Sequence, residues 1–386
     1  MSINSSTLIS LLSEFKEYAE VKADILSEYA DLLNSPERIY LFGCSKQQGS
    51  DIKKGFENLG YKIEGFIDND PNKQGKDFLG VKVYSLDEVK QINKNPLIVI
   101  TTAGWLNVVK QQLKMNGFSK IIPYQILYLF NPDVFKSGIA FSNLLGEVMA
   151  NFDEYAKTYR MLADNKSRII YINLLLFRLT YNDDYTFISC GSKENVVRYF
   201  NDKIISLSEN EVFVDGGGFD GDTTLEFITA AKKSYKKVYL FEPDKSNLHK
   251  AKSNLKAYDN IEFFDRGLFT EHKVIKFQSN SDITSNVCED GNLEIECVSL
   301  DELIEEKVSL IKLDIEGSEA DAILGARKHI QNDTPKLIIS GYHRPGDLWK
   351  LPKLIFEMNN RYDLFIRHYS QTVYESVFYF IPKPQN

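Results

Sequence analysis

Short apolar runs that end at a glycine or an acid recur along this chain, and a helical pattern follows most of them. "RIYLFG", "YKIEGFI" and "NPLIVITTA" fall in the first third. "EVFVD", "KKVYLFEPD", "NIEFFD", "VSLIKLDIEG" and "PKLIISGYH" fall in the second half. The runs are continuous rather than alternating and too short for helices, as expected of strands covered on both faces. Strands alternating with helices build parallel, doubly wound sheets. The chain is therefore expected to be α/β, with two doubly wound Rossmann-like domains joined by a helical segment.

The pattern divides the chain into an N-terminal helical segment (1–36), a first Rossmann-like domain (37–130), a helical linker (131–186) and a second α/β domain (187–386). In the first segment Leu8, Leu11, Leu12, Phe15, Tyr18, Ile25, Tyr29 and Leu32 recur at helical spacing. They offer packing against their own chain or the seam of a homodimer, and so few turns do not sustain a heptad. "FSNLLGEVMANFDEYAKTYRML" and "RIIYINLLLFRL" give the linker its helical pattern. "YDLFIRHYS" and "ESVFYFIP" read as closing antiparallel strands.

With 386 residues the chain can bury two cores. Its net charge of −8 argues against nucleic acid or an anionic membrane as the main partner. Its longest apolar runs, such as "IIYINLLLF", fall far short of a membrane span, so no membrane insertion is expected. No basic stretch followed by an apolar run opens the sequence, so no signal peptide is expected. Cys44, Cys190, Cys288 and Cys297 show no C-x-x-C spacing, which argues against a zinc site or a disulfide framework. A reducing, cytoplasmic setting is expected.

"DGGGFDGDT", residues 215–223, holds the spacing Gly216-x-Gly218-x-x-Gly221 after a strand. That spacing suits a dinucleotide, whose pyrophosphate sits on a helix N-terminus. Asp215, Asp220 and Asp222 surround this turn, however, and carboxylates repel a pyrophosphate. S-adenosylmethionine (SAM) carries a sulfonium and an ammonium instead, so acids attract it. SAM is the expected cofactor, with an NAD(P)-dependent enzyme acting on nucleotide sugars as the rival. A non-catalytic nucleotide-sugar-binding module is a third reading. In "YLFEPD", Glu242 and Pro243 follow an apolar strand, where a carboxylate accepts ribose hydroxyls. In "FFDRGLF", Asp265 either accepts from the adenine amino group, with the Gly267 backbone alongside, or simply makes a turn.

"LIKLDIEGSEADAILGA" delivers Asp314 and Glu316 to the same edge. Asp314 is suited to the sulfonium end or the substrate. Glu316 is structural, positions substrate, ligates a divalent ion, or takes the hydroxyl proton in place of His343. Acids at a strand end also occur in SAM pockets without metal, and no metal is expected. His343, after the next strand, either takes a proton from a hydroxyl or orders the turn His343-Arg344-Pro345-Gly346-Asp347.

Over residues 187–382 the chain resembles the FkbM family of SAM-dependent methyltransferases. "FVDGGGFDGDT", "YLFEPD", "GLF", "VSLDEL", "IKLDIEGSEADAILGA", "YHRPGDLWKLP" and "YDLFIRHYS" carry the resemblance, in family order, and "VRYF" (197–200) matches a lead-in segment. Each motif alone is weak; together they are specific. The resemblance implies a class I seven-strand methyltransferase fold and methyl transfer from SAM to an oxygen of a sugar, glycan precursor or polyketide. It implies that Asp215, Gly216, Gly217, Asp220 and Thr223 line the SAM pocket, that Glu242 takes the ribose, and that Asp314 lies at the reactive end. It supplies no secure catalytic base. The run Gly216-Gly217-Gly218 is richer in glycine than the family's pattern, and Leu313 stands where isoleucine is common. The first domain resembles the Rossmann-like modules found beside sugar-modifying transferases. Its Gly43 and Gly49 are too far apart for the dinucleotide fingerprint, while Asp68 in "GFIDND" is placed to read the ribose of a nucleotide sugar.

Overall fold

The computed structural model describes residues 18–34, 38–102, 104–135, 142–186, 199–200, 204–278, 286–287 and 293–384. Leu8, Leu11, Leu12 and Phe15, Cys190 and Cys288, and Val197–Arg198 of the lead-in segment lie outside these residues.

The first sheet comprises β1 (Ile39–Phe42), β2 (Ile63–Ile67), β3 (Asp77–Phe78), β4 (Val81–Tyr84), β5 (Leu97–Ile100) and β6 (Ile121–Pro123), in the order β3-β4-β2-β1-β5-β6. Its pairs are parallel except β3 with β4. Every residue of β1 and β5 is buried, as their unbroken apolar runs require. Each large apolar side chain so buried contributes roughly 1.5–3 kcal/mol. Strand order reverses between β1 and β5, which opens a crevice at their carboxyl ends. The sequence runs identify β1, β2 and β5; β3, β4 and β6 are only two to four residues long and escape a periodicity reading.

Among the described residues this half holds six helices: α1 (Tyr18–Ser27), α2 (Ala30–Asn34), α3 (Gln48–Asn58), α4 (Leu86–Ile92), α5 (Leu106–Met115) and α6 (Tyr124–Phe130). The start of α4 is fixed by a capping box, in which Ser85 and Glu88 each accept the other's backbone N–H. Val21 and Leu33 of α1 and α2 are buried in the chain's own core.

The second main sheet comprises β7 (Val212–Gly216), β8 (Lys237–Phe241), β9 (Ile261–Phe264), β14 (Leu310–Leu313), β15 (Lys336–Ser340), β16 (Tyr362–His368) and β17 (Ser376–Pro382). Its order is β16-β17-β15-β14-β7-β8-β9, with β17 antiparallel to both neighbours and the rest parallel. This is the seven-strand order expected above, with its own reversal between β7 and β14. A smaller sheet is inserted after β9. It contains β10 (Gly267–Leu268), β11 (Lys273–Gln278), β12 (Asn286–Val287) and β13 (Leu293–Val298). The sequence reading passes straight from "FFD" to "VSLDEL" and misses it, because two of its strands have only two residues.

Helices α7 (Leu144–Ala150), α8 (Phe152–Met161) and α9 (Asn165–Thr180) form the middle of the chain. This segment touches both units: Leu162 bridges to Leu364 of β16 and Arg367 Nη2 lies 2.9 Å from Asp164 Oδ2, while Asn107 Nδ2 of α5 donates to the Asp183 carbonyl just beyond α9. The remaining helices among the described residues are α10 (Asp222–Ala230), α11 (Lys245–Asn254), α12 (Leu300–Leu303), α13 (Glu319–Gly325), α14 (Arg327–Asn332) and α15 (Asp347–Met358). No helix among the described residues is long and apolar enough to cross a membrane.

Candidate active site

The register of β7 against β14 pairs Asp215 with Lys312 and Gly216 with Leu313. Asp215 is wholly buried. Its carboxylate accepts from Thr224 Oγ1 at 2.7 Å and from Lys312 Nζ at 3.0 Å. The Lys312 ammonium also donates to the carbonyls of Gly217 (2.8 Å) and Gly216 (3.2 Å). Burial disfavours the charge on each partner and raises the Asp215 carboxyl despite Lys312. At Lys312 the fields of Asp215 and Asp314 outweigh burial and keep the ammonium protonated. Three donated hydrogen bonds agree with that ammonium, so the pair is read as ionised. The charge of Asp215 is thus taken up beneath the glycine turn, by a lysine that the motif reading left out.

The turn itself lies flat against the loop after β14. Gly217 has φ +77°, and a Cβ there would lie 1.9 Å from the Asp314 carbonyl oxygen, so only glycine fits. Gly216 abuts Leu313 and Leu268. Asp220 is half-buried, its carbonyl accepting from Asn254 Nδ2. Asp222 is exposed in the first turn of α10, its carboxylate accepting from the N–H of buried Thr223 at 2.7 Å.

Glu242 braces this turn from β8. Its carboxylate accepts from Phe219 N and Asp244 N, both at 2.9 Å, while the carbonyl of Phe241 before it accepts from Gly217 N and Gly218 N. Burial pushes its carboxyl up to about 7, against the pull of those amides. Pro243 leads from Glu242 into Asp244, which caps α11. Asp265 is exposed beyond β9, and Gly267 opens β10, where a Cβ would press the Cys297 sulfur. Glu242, the turn and Asp265 lie at one edge, since parallel β8 and β9 pair Phe241 with Phe264; Gly267 belongs to the neighbouring inserted sheet.

The ends of β14 and β15 bring Asp314, Glu316, Glu319 and His343 together. Asp314 accepts from Tyr199 Oη at 2.9 Å and Tyr342 Oη at 3.0 Å. Burial raises its carboxyl, but His343 and Lys312 more than offset this and hold it below its usual value. Glu316 sits in the left-handed region at φ +56°, a backbone cost of roughly 1–2 kcal/mol for a non-glycine residue. Its carboxyl is pushed up to about 7 by burial among other acids, with His343 opposing. Glu319 is buried and accepts from Ile315 N at 2.9 Å.

His343 is 9% exposed at the centre of these acids. Its Nε2 lies 3.5 Å from both Asp314 and Glu316, and its Nδ1 lies 2.9 Å from Glu319 Oε1. The Nδ1 contact is close but off the N–H direction, so it acts as an ion contact rather than an aligned hydrogen bond. Burial alone would keep the ring neutral, but the three carboxylates push its pKa up to about 10. An imidazolium cannot accept a proton. In this cluster two carboxyls, Glu316 and Asp347, are pushed up to about 7 by burial, and His343 is the cation among the acids. Asp314, Glu319 and His343 offer donor atoms within 4.8 Å of one another, close enough for a divalent ion were His343 to give up its proton.

The loop carrying His343 is held from the middle helices. The Pro345 carbonyl accepts from Arg178 Nη1 of α9 at 2.6 Å and from Tyr155 Oη of α8 at 3.0 Å. Arg344 Nε donates to Gly317 O at 2.6 Å, tying this loop to the one bearing Glu316. Tyr199, Tyr342, Glu319, Lys312 and Arg178 were not singled out from sequence. Only Lys312, a lysine within an apolar strand run, carried a local signal.

Residues 215–370 match the family described as the methyltransferase FkbM domain, and residues 34–105 match the CoA binding domain. The chain is similar in structure to the methyltransferase FkbM of Methylobacillus flagellatus, at 21% identity and a TM-score of 0.75, with 98% of each chain covered. An rRNA methylase of Streptococcus thermophilus aligns at 16% identity and a TM-score of 0.32, over 46% of this chain and 90% of that one. No curated protein matches the chain by sequence.

Proposed function

We propose that this chain, whose residues 215–370 form a methyltransferase FkbM domain, transfers a methyl group from SAM to a hydroxyl oxygen of a sugar or glycan precursor. The observation that carries the reading is the meeting, at one sheet edge, of a braced glycine turn with a surplus of carboxylates. Asp314, Glu316 and Glu319 outnumber the single cation His343 there. Such an edge suits a ligand bearing a sulfonium and an ammonium. A pyrophosphate at the same turn would face Asp220 and Asp222, which disfavours hydride transfer from a dinucleotide.

When bound, SAM supplies an electrophilic methyl group. Glu242 has lone pairs left beyond its two amide bonds and accepts the ribose hydroxyls. Asp314, held ionised, faces the cationic end. Glu316 takes the acceptor's hydroxyl proton and so raises the nucleophilicity of that oxygen. His343 keeps Asp314, Glu316 and Glu319 in place. Half-buried Tyr374, packed edge-on against buried Tyr342, offers a ring of the kind that sugar faces stack on.

Calorimetry of the full chain against S-adenosylhomocysteine tests the donor. One site per chain with micromolar affinity is expected. Absence of binding at millimolar concentration would overturn the proposal.

A further inference from the structure

The two units meet at a buried seam, and the short stretch 183–186 beyond α9 ties its sides together. From the first unit, Asn107 Nδ2 of α5 donates to the Asp183 carbonyl at 3.2 Å, and Lys110 Nζ lies 3.4 Å from Asp183 Oδ2. On the other side Thr186 Oγ1 lies 2.7 Å from the Gln371 carbonyl and 3.0 Å from the Asp183 carbonyl. Asn107, Asp183, Thr186 and Gln371 are all buried. Gln371 belongs to the turn that joins β16 to β17. The same turn carries Tyr374, edge-on to Tyr342, and Glu375, whose charge acts on Glu316. The seam therefore holds the turn that walls one flank of the acid cluster.

The seam is polar and incompletely satisfied. Among the described residues, Asp183 Oδ1 and Gln371 Oε1 are buried without a hydrogen-bond partner. Each forfeits the hydrogen bonds that water would give it. A buried carboxylate so placed recovers by taking a proton or by returning to water. The groups that face Asp183 are Lys110 from α5, Tyr29 from the turn between α1 and α2, Tyr124 from α6, and Asp184 beside it. Lys110 is the single cation among them. Burial outweighs its pull and pushes the Asp183 carboxyl up to about 6. The closed seam favours the neutral carboxyl, and a seam open to water favours the ionised one.

We propose that Asp183 is a latch on the β16–β17 turn. With its carboxyl neutral, the turn stays closed against residues 183–186 and α5. With the carboxyl ionised, the turn lifts, water reaches Asp183 Oδ1 and Gln371 Oε1, and the flank of the acid cluster opens. The latch stands on the geometry of the seam; only its use in admitting an acceptor rests on the function proposed above. The sign follows from linkage. The closed-state carboxyl titrates above its ordinary value of 3.8, so closure is firmest below that value and weakens as pH rises through about 6. Those two values make opening about tenfold more frequent at pH 8 than at pH 5.

The test is amide hydrogen exchange of the full chain, read by mass spectrometry on peptides spanning residues 369–375. Rates are taken between pH 5 and 8 and corrected for the intrinsic pH dependence of exchange. Strands β1 and β14 report global unfolding, and the turn is expected to exchange faster than either. Its opening should rise about tenfold across the range. Asp183→Asn stays neutral and should flatten the profile at its acid level. Lys110→Met removes the opposing cation and should steepen the profile, with opening at pH 8 rising further. It decides the matter alone where Asp183→Asn does not fold. Any of four results would overturn the proposal: a flat wild-type profile, an unchanged profile in Asp183→Asn, an unchanged profile in Lys110→Met, or turn amides exchanging no faster than those of β1 and β14.

Discussion

Replacing Lys312 by Met keeps the apolar stem and removes the ammonium. Asp215, 0% exposed, is then left with the Thr224 hydroxyl alone. Breaking a buried pair from one side costs about 3–5 kcal/mol, because the surviving charge is stranded. The carboxylate can escape by taking a proton, and that route sets a pH-dependent cost. An acid forced to be neutral when folded, with an unfolded pKa near 3.8, costs about 1.4 kcal/mol for each pH unit above that value. This comes to about 4 kcal/mol at pH 7 and about 1.5 kcal/mol at pH 5. The sign follows from linkage: a folded-state pKa raised above the unfolded one favours folding at low pH, and the advantage is lost as pH rises. Urea unfolding at both pH values measures this. The chain has two tryptophans, so in a Trp105→Phe background Trp349 of α15 reports the second unit alone. Adding Asp215→Asn to Lys312→Met should remove the pH dependence and restore part of the stability. A Lys312→Met penalty below about 1 kcal/mol, or one equal at pH 5 and 7, would refute the buried pair as the support of the turn.

Two further perturbations address the chemistry. Glu316, with its carboxyl at about 7, must be ionised to accept a proton, so kcat should rise as pH passes about 7 and hold until His343 loses its proton near 10. Glu316→Gln should lower kcat about 10²–10⁴-fold with S-adenosylhomocysteine affinity unchanged; wild-type turnover in that variant would move the base elsewhere. Arg178 is buried and donates to Pro345 O, two residues beyond His343. Arg178→Met should lower kcat about tenfold, roughly the 1.5 kcal/mol of a hydrogen bond from a charged donor, with Arg178→Lys recovering part and S-adenosylhomocysteine affinity unmoved. A fall in melting temperature with kcat intact would reduce Arg178 to a packing residue.

The fold was largely legible because its strands are buried on both faces and read as unbroken apolar runs. What escaped was short or distant. Two strands of the inserted sheet have only two residues, too few to show a period, and the two six-residue strands were passed over between motifs. Motif reading brought Asp314, Glu316 and His343 to one edge correctly, since each follows a strand that ends there. It did not assign their protonation. His343 alone in "SGYHRPGD" looks like a group that titrates near neutrality, and its proton is fixed by Glu319, whose place in "EGSEADAIL" reads as an acid in a helix's first turn. Asp215 likewise looks like a free acid at the ligand edge until β14 brings Lys312 from 97 residues away. A pKa depends on which charges the fold packs together, and local sequence records only half of each pair.

The two units make the same distinction within one chain. Gly43 N donates to the Ile67 carbonyl and Asp68 accepts from Cys44 N and Asp70 N, as Gly217 N donates to the Phe241 carbonyl and Glu242 accepts from Phe219 N and Asp244 N. The brace therefore belongs to the doubly wound sheet and specifies no ligand. Ligand choice lies in the charges set around it. Beside Asp68 stands half-exposed Lys73. Below the second turn the lysine is buried and bonded to protein carbonyls, so it offers nothing to a ligand, and the charges around the crevice are exposed Asp222 with half-buried Asp220, Asp314 and Glu316. Moving one lysine from the mouth of the crevice to beneath its floor changes the sign of the field a ligand meets. By that criterion the first crevice presents a cation to what enters it and the second presents acids, although both are built on the same backbone.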